Sequence, residues 1–377
     1  MKIVIASDSY KGTFNSVEIT NLISDSFSRL KKSSNIVSIP LTDGGEGSVD
    51  VIEHNNCNVK KINVFIHNPL FSVINSQYIM INNETCYIET AKANGLSLIE
   101  YSIGNGLITT SFGVGEMITD AIDKGFKHII IGLGGSATND GGIGLLIALG
   151  AKIYDKNKKM IKVGSAKDLI NIKNIDFSLL DKRIKNIKFT ILSDIKNFIL
   201  GDYGATYIFG PQKGILEKNI FDVENGMENY CNIIHKLFDV DLNKIVGGGA
   251  AGGIGATLSF ITNTKIESGI NFFIDFSNLK EQLADADYLI LGEGMLDKSS
   301  FYGKTVGGIC KRFDNNHGLT ILVICGQCNI DKTILSNFNI SQVYSLFSKK
   351  MNLEEYKRLT PKNIDKVVEK INKDYLE

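Results

Sequence analysis

HIIIGLGGSATNDGG, residues 128–142, is an apolar run that passes straight into glycines and then into hydroxyl, amide and carboxylate side chains. His128 to Leu133 has the composition of a buried strand. In an open α/β sheet, ligands bind beyond the carboxyl ends of strands, so a strand that ends this way is a candidate binding loop. The same punctuation recurs. Lys2 to Ala6 is followed by Asp8 and Lys11, and Ile36 to Pro40 by Asp43, Gly44, Gly45, Glu46 and Gly47. Asp194 follows Thr190 to Leu192; Glu293 and Asp297 follow Tyr288 to Leu291, with Lys304 beyond. A single acid after a strand is commonly a helix cap or Asx-turn. Five acid-bearing strand ends in one chain point instead to a polar ligand.

Helix-like segments alternate with these strands, as in an α/β protein. Asn15 or Ser16 is placed to cap a helix carrying Val17, Ile19, Leu22, Ile23 and Phe27. Further helices are expected over 115–124, 142–149 and 216–244, and a polar one from about Pro361. Strands are expected at 151–154 and 319–325. The runs 59–66, 76–81 and 85–89 are short and β-branched, with turns at Asn68-Pro69 and Asn82-Asn83, the pattern of an antiparallel meander. The Lys- and Asn-rich stretch 155–188 reads as surface loops and a helix. The strand units near the start resemble those at 288 and 319. That predicts a discontinuous first domain, 1–60 plus 280–377, with a second domain, 61–279, inserted in it.

The chain has 377 residues, 43% hydrophobic and 22% charged, and 41 basic residues balance 41 acidic ones. Zero net charge removes the electrostatic footprint of a nucleic-acid binder or a polybasic membrane-surface protein. No 18-residue apolar run offers a membrane span, and no signal-peptide core follows Met1, so the cytoplasm is the expected compartment. Six cysteines fit reduced, mostly buried thiols. Cys325-Gly-Gln-Cys328 lacks a second pair or a nearby His, so packed thiols come before zinc or redox use. His54, His67, His128, His235 and His317 are scattered, against a His-ligated metal centre. Of 37 glycines, seven fall within 132–150 and six within 247–255.

Two glycine runs admit more than one reading. Gly132-Leu-Gly134-Gly135-Ser136-Ala137 fits G-x-G-x-x-[GA] after a strand, and Asp155 ends the next strand, where a ribose-binding acid would stand. An NAD-dependent dehydrogenase of a small hydroxy acid is therefore one alternative. Yet Ser136, Thr138, Asn139 and Asp140 fill the place where a Rossmann helix would begin, and they suit a polar substrate or phosphate. Gly247 to Gly255 also matches G-x-G-x-x-G, without a good strand before it; close helix packing is its structural alternative. Lys298 to Thr305 nearly matches a P-loop but has Lys298 for the first glycine. Gly210-Pro-Gln-Lys213-Gly214 is a rigid turn presenting a lysine. Glycine-rich backbone, lysines and carboxylates together suggest phosphoryl transfer.

These loops resemble the glycerate kinase family, in the bacterial type with an inserted domain. The matching strings are Ala6 to Gly12, Pro40 to Gly47, Ile88 to Ala91, Gly132 to Gly142, Phe209 to Gly214, Gly249 to Gly253, and Gly292-Glu-Gly294 with Asp297, Gly303 and Lys304. The resemblance implies two α/β domains, one flavodoxin- or Rossmann-like with a mostly parallel sheet, the second inserted with a mixed sheet, and a cleft between them. It implies phosphorylation of D-glycerate by ATP with Mg²⁺, at the 2-hydroxyl rather than the 3-hydroxyl, in a monomer or homodimer. Lys11, Lys213 and Lys304 would neutralise substrate or phosphate charge, with Asp8 and Glu46 beside them. Asp43, Asp194 and Asp297 are candidates for metal binding or hydroxyl deprotonation, Lys11 joining them as catalytic, with Glu46 and Glu293 supporting either role. Ser136, Asn139 and Asp140 would orient substrate hydroxyls, and Gly134, Gly135, Gly249 and Gly252 would let ligand approach the backbone. The chain departs from the family at Ser7 (usually Pro), Ser193 (commonly Cys) and Met295 (usually Arg). The last leaves a non-catalytic metabolite binder as a further alternative.

Overall fold

A computed structural model describes residues 1–31, 34–301, 303–313 and 318–377; His317, and Tyr302 in the near P-loop, lie outside the described residues. The strands, in chain order, are β1 (Lys2–Ser7), β2 (Asn35–Ser38), β3 (Lys60–His67), β4 (Val73–Met80), β5 (Thr85–Glu89), β6 (His128–Gly132) and β7 (Lys152–Asp155). They continue with β8 (Met160–Ile161), β9 (Ile172–Asp176), β10 (Lys188–Leu192), β11 (Ile266–Glu267), β12 (Tyr288–Leu296), β13 (Thr320–Cys328) and β14 (Ile340–Ser345). They fall into two compact units. The first comprises Met1–Asp43, Asp50–Cys57 and Ser268–Glu377; the second comprises Gly44–Val49 and Asn58–Glu267.

The first unit is a five-stranded sheet in the order β14-β13-β12-β1-β2, every pair parallel. Numbered within the unit and read from β2, the order is 2-1-3-4-5, the flavodoxin-like arrangement, whose topological switch point lies between strands 1 and 3. Here those are β1 and β12, and Ser7 pairs with Gly292 at their carboxyl ends. Ile3–Ala6, Leu289–Leu291 and Ile321–Cys325 are buried without interruption, as a parallel sheet covered on both faces requires. Ile3, Ile5, Ile290, Leu322 and Ile324 pack with Ile19, Ile23 and Phe27 of the helix Ser16–Leu30 and with Ile364 and Val368 of the helix Leu353–Ile371. Asn15 opens the first of these helices in a capping box with Glu18. The second starts at Leu353, not near Pro361, because Asn352 and Glu355 form another capping box and Pro361 sits inside the helix.

The second unit carries a mixed sheet in the order β11-β10-β6-β5-β4-β3. β3, β4 and β5 form the expected antiparallel meander, but β5, β6, β10 and β11 pair parallel. β7 falls on the expected strand 151–154, but residues 155–176 differ from expectation. With β7 they form a separate antiparallel sheet, β8-β7-β9, with one short helix, Ala166–Leu169. Polar outward positions hid this sheet, whose inward residues Ile153, Ile172 and Ile175 join Tyr230 and Ile234 of the helix Glu217–Phe238 in a core of their own. Among the described residues no helix is long and apolar enough to cross a membrane.

Candidate active site

The switch point of the first unit opens onto a cavity of about 290 Å³. Asp8, Lys11, Asp43, Glu293, Asp297 and Lys304 all line it. Each was expected from the sequence, and each reaches the cavity from the loop after β1, the loop after β2, or the end of β12 and the turn beyond it. The Asp8 N–H donates to the Gly292 carbonyl oxygen at 2.9 Å, locking the first loop to β12. Gly292 is required there: a Cβ would lie 2.0 Å from the Ser7 hydroxyl.

The charges are crowded. Asp8 accepts from the Ser9 N–H and the Thr305 hydroxyl, both at 2.6 Å. Burial, and then the Asp43 charge, nevertheless push its pKa up to about 6. Burial raises Glu293 to about 7, with Asp8 and Asp297 adding to the effect and Lys304 opposing it. Glu293 Oε2 is buried without a hydrogen-bond partner among the described residues. Asp297 goes the other way. It accepts from the Ser299 hydroxyl at 2.6 Å and the Ser299 N–H at 2.7 Å, which lowers its pKa. Lys304 Nζ donates to the same hydroxyl at 2.8 Å. Lys11 is exposed at the rim, and Met295, 43% exposed, supplies an apolar patch of wall.

The second unit gathers another set, and it faces inward. Asp140 is fully buried and accepts from the Ser111 N–H and hydroxyl at 2.8 and 2.7 Å and from the Gly142 and Gly144 N–H groups at 3.0 and 3.3 Å. It thereby holds the start of the helix Ile143–Ala148, and its hydrogen-bonding capacity is spent on its own chain. Lys213, 3% exposed, donates to the Ser136 hydroxyl at 3.1 Å and the Thr138 carbonyl oxygen at 2.7 Å. Burial brings its pKa down to about 7, against the pull of Asp140. Asn139 donates to the Thr206 hydroxyl at 3.2 Å, while its Oδ1 is buried without a partner among the described residues.

The glycines of both runs approach protein rather than an open cradle. A Cβ on Gly134 would lie 2.6 Å from Gly45 Cα, and one on Gly135 would lie 3.1 Å from the Cβ of Glu46, itself exposed. One on Gly249 would lie 2.4 Å from the Phe198 carbonyl oxygen, and one on Gly252 only 2.0 Å from that of Thr138. Close backbone packing therefore explains the 247–255 run. Asp194, half-buried, follows β10. Glu89 was missed as a working residue. Its carboxylate accepts from the Gly47 and Val49 N–H groups at 3.1 and 2.9 Å and caps the turn 47–49. The signal was available, in an acid that ends a strand within a quoted string.

The dinucleotide-binding alternative does not survive. Asp155 ends β7, which belongs to the separate three-stranded sheet and is no neighbour of β6. Its Oδ1 accepts from the Asn157 and Lys159 N–H groups at 2.8 and 2.9 Å, so it holds the β7–β8 turn. The glycines after β6 also do not lead into a helix at once, since the next one begins at Ile143.

A flavodoxin-like sheet with lysines and carboxylates at its switch point defines an α/β fold with a charged cavity, and the comparisons with known proteins make it a kinase. The model of the glycerate kinase family matches residues 3–376, and the chain belongs to that family. It is 35% identical to the glycerate kinase of Bacillus cereus over 372 residues, 98% of this chain and 97% of that one. It is 36% identical to the glycerate 2-kinase of Escherichia coli over 356 residues, 94% and 93% of the two chains. The crystal structure of a putative glycerate kinase 2 from Salmonella typhimurium superposes with a TM-score of 0.81 at 33% identity, covering 98% of this chain and 97% of that one.

Proposed function

We propose that this kinase transfers the γ-phosphoryl group of ATP to the 2-hydroxyl of D-glycerate. The observation that carries the reading is the meeting of Lys11, Lys304, Asp8, Asp43 and Glu293 at the switch-point cavity of a flavodoxin-like sheet. Glycerate is small and anionic, which suits a cavity of about 290 Å³ with lysines in its wall. The name of the Escherichia coli relative, a glycerate 2-kinase, supports the 2-position.

Lys11 and Lys304 neutralise carboxylate or phosphate charge. Glu293 takes the proton of the attacking hydroxyl: a base with pKa near the working pH combines the right protonation state with driving force. Asp297 orders the Ser299 turn that holds Lys304. Asp43 disfavours the charge of Asp8, and Asp8 that of Glu293, a crowding that fits a cation in use. Among the described residues no three His, Cys, Asp or Glu side chains converge as a metal cage. Magnesium in kinases binds through one or two carboxylates plus substrate phosphates, so Asp43 suffices on the protein side. Bound there, the ion would offset the charge developing on the phosphoryl oxygens. Asp194 is proposed as a further carboxylate for the transfer, on the strength of its string alone.

The test is glycerate-stimulated ADP release from Mg-ATP, with phosphorus NMR of the product. A 2-phosphoglycerate signal is expected. A 3-phosphoglycerate signal would overturn the position, and glycerate binding without ADP release would overturn the reaction.

A further inference from the structure

The cavity at the switch point has a part that glycerate leaves unused. Its charged side chains come from the loops after β1 and β2 and from β12 with the turn beyond it. Toward β13 and β14 the wall changes to Gln327, Phe347, Leu353 and Tyr356, with Met295 on β12 between the two parts. Phe347 is buried, and its N–H donates to the Gly326 carbonyl oxygen at 3.0 Å. Its ring meets that of Tyr356 edge-on, with centroids 4.8 Å apart. The Tyr356 hydroxyl accepts from the Met351 N–H at 3.1 Å, which pins the second ring. Leu353 opens its helix 55% exposed, beside Gly12, where a Cβ would lie 3.2 Å from the leucine Cδ2. Gln327 stands opposite Met295 in register, and alternation along β12 puts Met295 on the face of Glu293. The Gln327 amide is half-buried and makes no hydrogen bond among the described residues. Cys325 and Cys328 flank this segment as free thiols, the first buried and the second exposed, so the expectation of packed thiols fails for Cys328.

We propose that this part of the cavity holds the adenine base of the nucleotide, seated against Tyr356, Leu353 and Met295 with its edge read by Gln327. Every carbon of glycerate carries oxygen, so that substrate has no apolar face to set against these side chains. A purine is flat and apolar on both faces. An aromatic ring, a leucine and a polarisable thioether suit it, and such contacts accept any base. Choice between bases falls to Gln327. Its carboxamide offers a donor and an acceptor side by side. Adenine presents the complement on one edge, the N6 amino donor beside the N7 acceptor, whereas guanine presents two acceptors there, O6 and N7. On guanine the Gln327 oxygen would face another oxygen.

The sheet spaces the parts to match. Neighbouring strands lie about 4.8 Å apart, so β13 and β14 stand about 5 and 10 Å from β12. From a base at that side, ribose and phosphates run back along the carboxyl edge of the sheet toward Lys304, Lys11 and Glu293. Gly326 keeps this edge tight, since a Cβ there would lie 2.4 Å from the Gly294 carbonyl oxygen. The proposal rests on the kinase reading above for its ligand, and its test reads binding apart from turnover.

The chain has no tryptophan, so Leu353→Trp in the full-length protein places a single reporter on this wall. ADP should quench its emission saturably, and GDP should need about ten times the concentration, within the range of one bidentate base contact. Calorimetric titration of the wild type with the same two nucleotides should give the same ratio without the reporter. Gln327→Ala should bring ADP and GDP to within about two-fold of each other and raise the KM for ATP about ten-fold, with a smaller effect on the KM for glycerate. ADP that binds in the calorimeter but leaves the reporter unchanged overturns the placement, and so does a preference for ADP that survives Gln327→Ala. A wild type that binds neither nucleotide overturns it as well. Glycerate-stimulated ADP release is read separately: its absence from a wild type that still prefers ADP through Gln327 sinks the kinase reading and leaves the base site standing.

Discussion

At the scale of single residues, Glu293, proposed above as the base, also bears on stability. Its pKa stands at about 7 in the folded chain, against 4.5 for an ordinary glutamate. Between those values the unfolded chain has released the proton and the folded chain still holds it. Stability therefore falls as pH rises through the window. Glu293→Gln should raise the melting temperature at pH 8 relative to wild type while lowering kcat by about 100-fold or more. The acid limb of kcat/KM near pH 7 should vanish with it; a variant that kept the limb would place the base elsewhere. Lys213 has the opposite sign. Its pKa is lowered from 10.5 to about 7, so above neutrality the unfolded chain binds the extra proton and stability rises with pH until about 10.5. Urea titrations at pH 7 and 10 should show that rise in the wild type and a flatter response in Lys213→Met. The residue types of the site were legible, because lysines and acids at strand ends have few structural uses in such number. Their division of labour was not. Asp140 and Glu293 look alike in a string, and only folding shows one carboxylate spent on N–H groups and the other left with a bare buried oxygen.

At the scale of elements, strands and loops were legible to different degrees. Uninterrupted apolar runs gave away β1, β6, β12 and β13, because buried parallel strands tolerate little else. β8 and β9 escaped notice, since an antiparallel sheet with one wet face can be mostly Lys and Asn along that face. The start of the helix Leu353–Ile371 was misplaced because a proline, usually a first-turn residue, lies well inside it. The glycine loop 249–253 shows how a motif can be real and its purpose structural. Gly252 has φ +69° and no room for a Cβ beside Thr138. Gly252→Ala should cost about 2 kcal/mol, from the left-handed conformation and the clash together. Chemical denaturation measures the loss; a cost of a few tenths would mean that the Thr138 loop yields easily.

At the scale of the whole molecule, the balance of 41 basic and 41 acidic residues hides local opposition. The cavity of the first unit carries both signs within a few residues of each other. Zero net charge favours self-association. Light scattering at low ionic strength should therefore be higher at pH 7 than at pH 9, and added salt should reduce the difference. Scattering independent of pH would show that surface charge is not what limits solubility. The sheet order of the first unit bears on synthesis as well. Ile3 lies in a strand whose neighbour on one side begins at Tyr288. At translation speeds of roughly 5–20 residues per second, the gap between them lasts on the order of tens of seconds. Throughout that interval the nascent chain displays Ile3, Val4 and Ile5 with one flank of the ladder unfilled. The core of this unit can close only when the ribosome has almost finished, and a message cut short before β12 would leave its first strand paired with β2 alone.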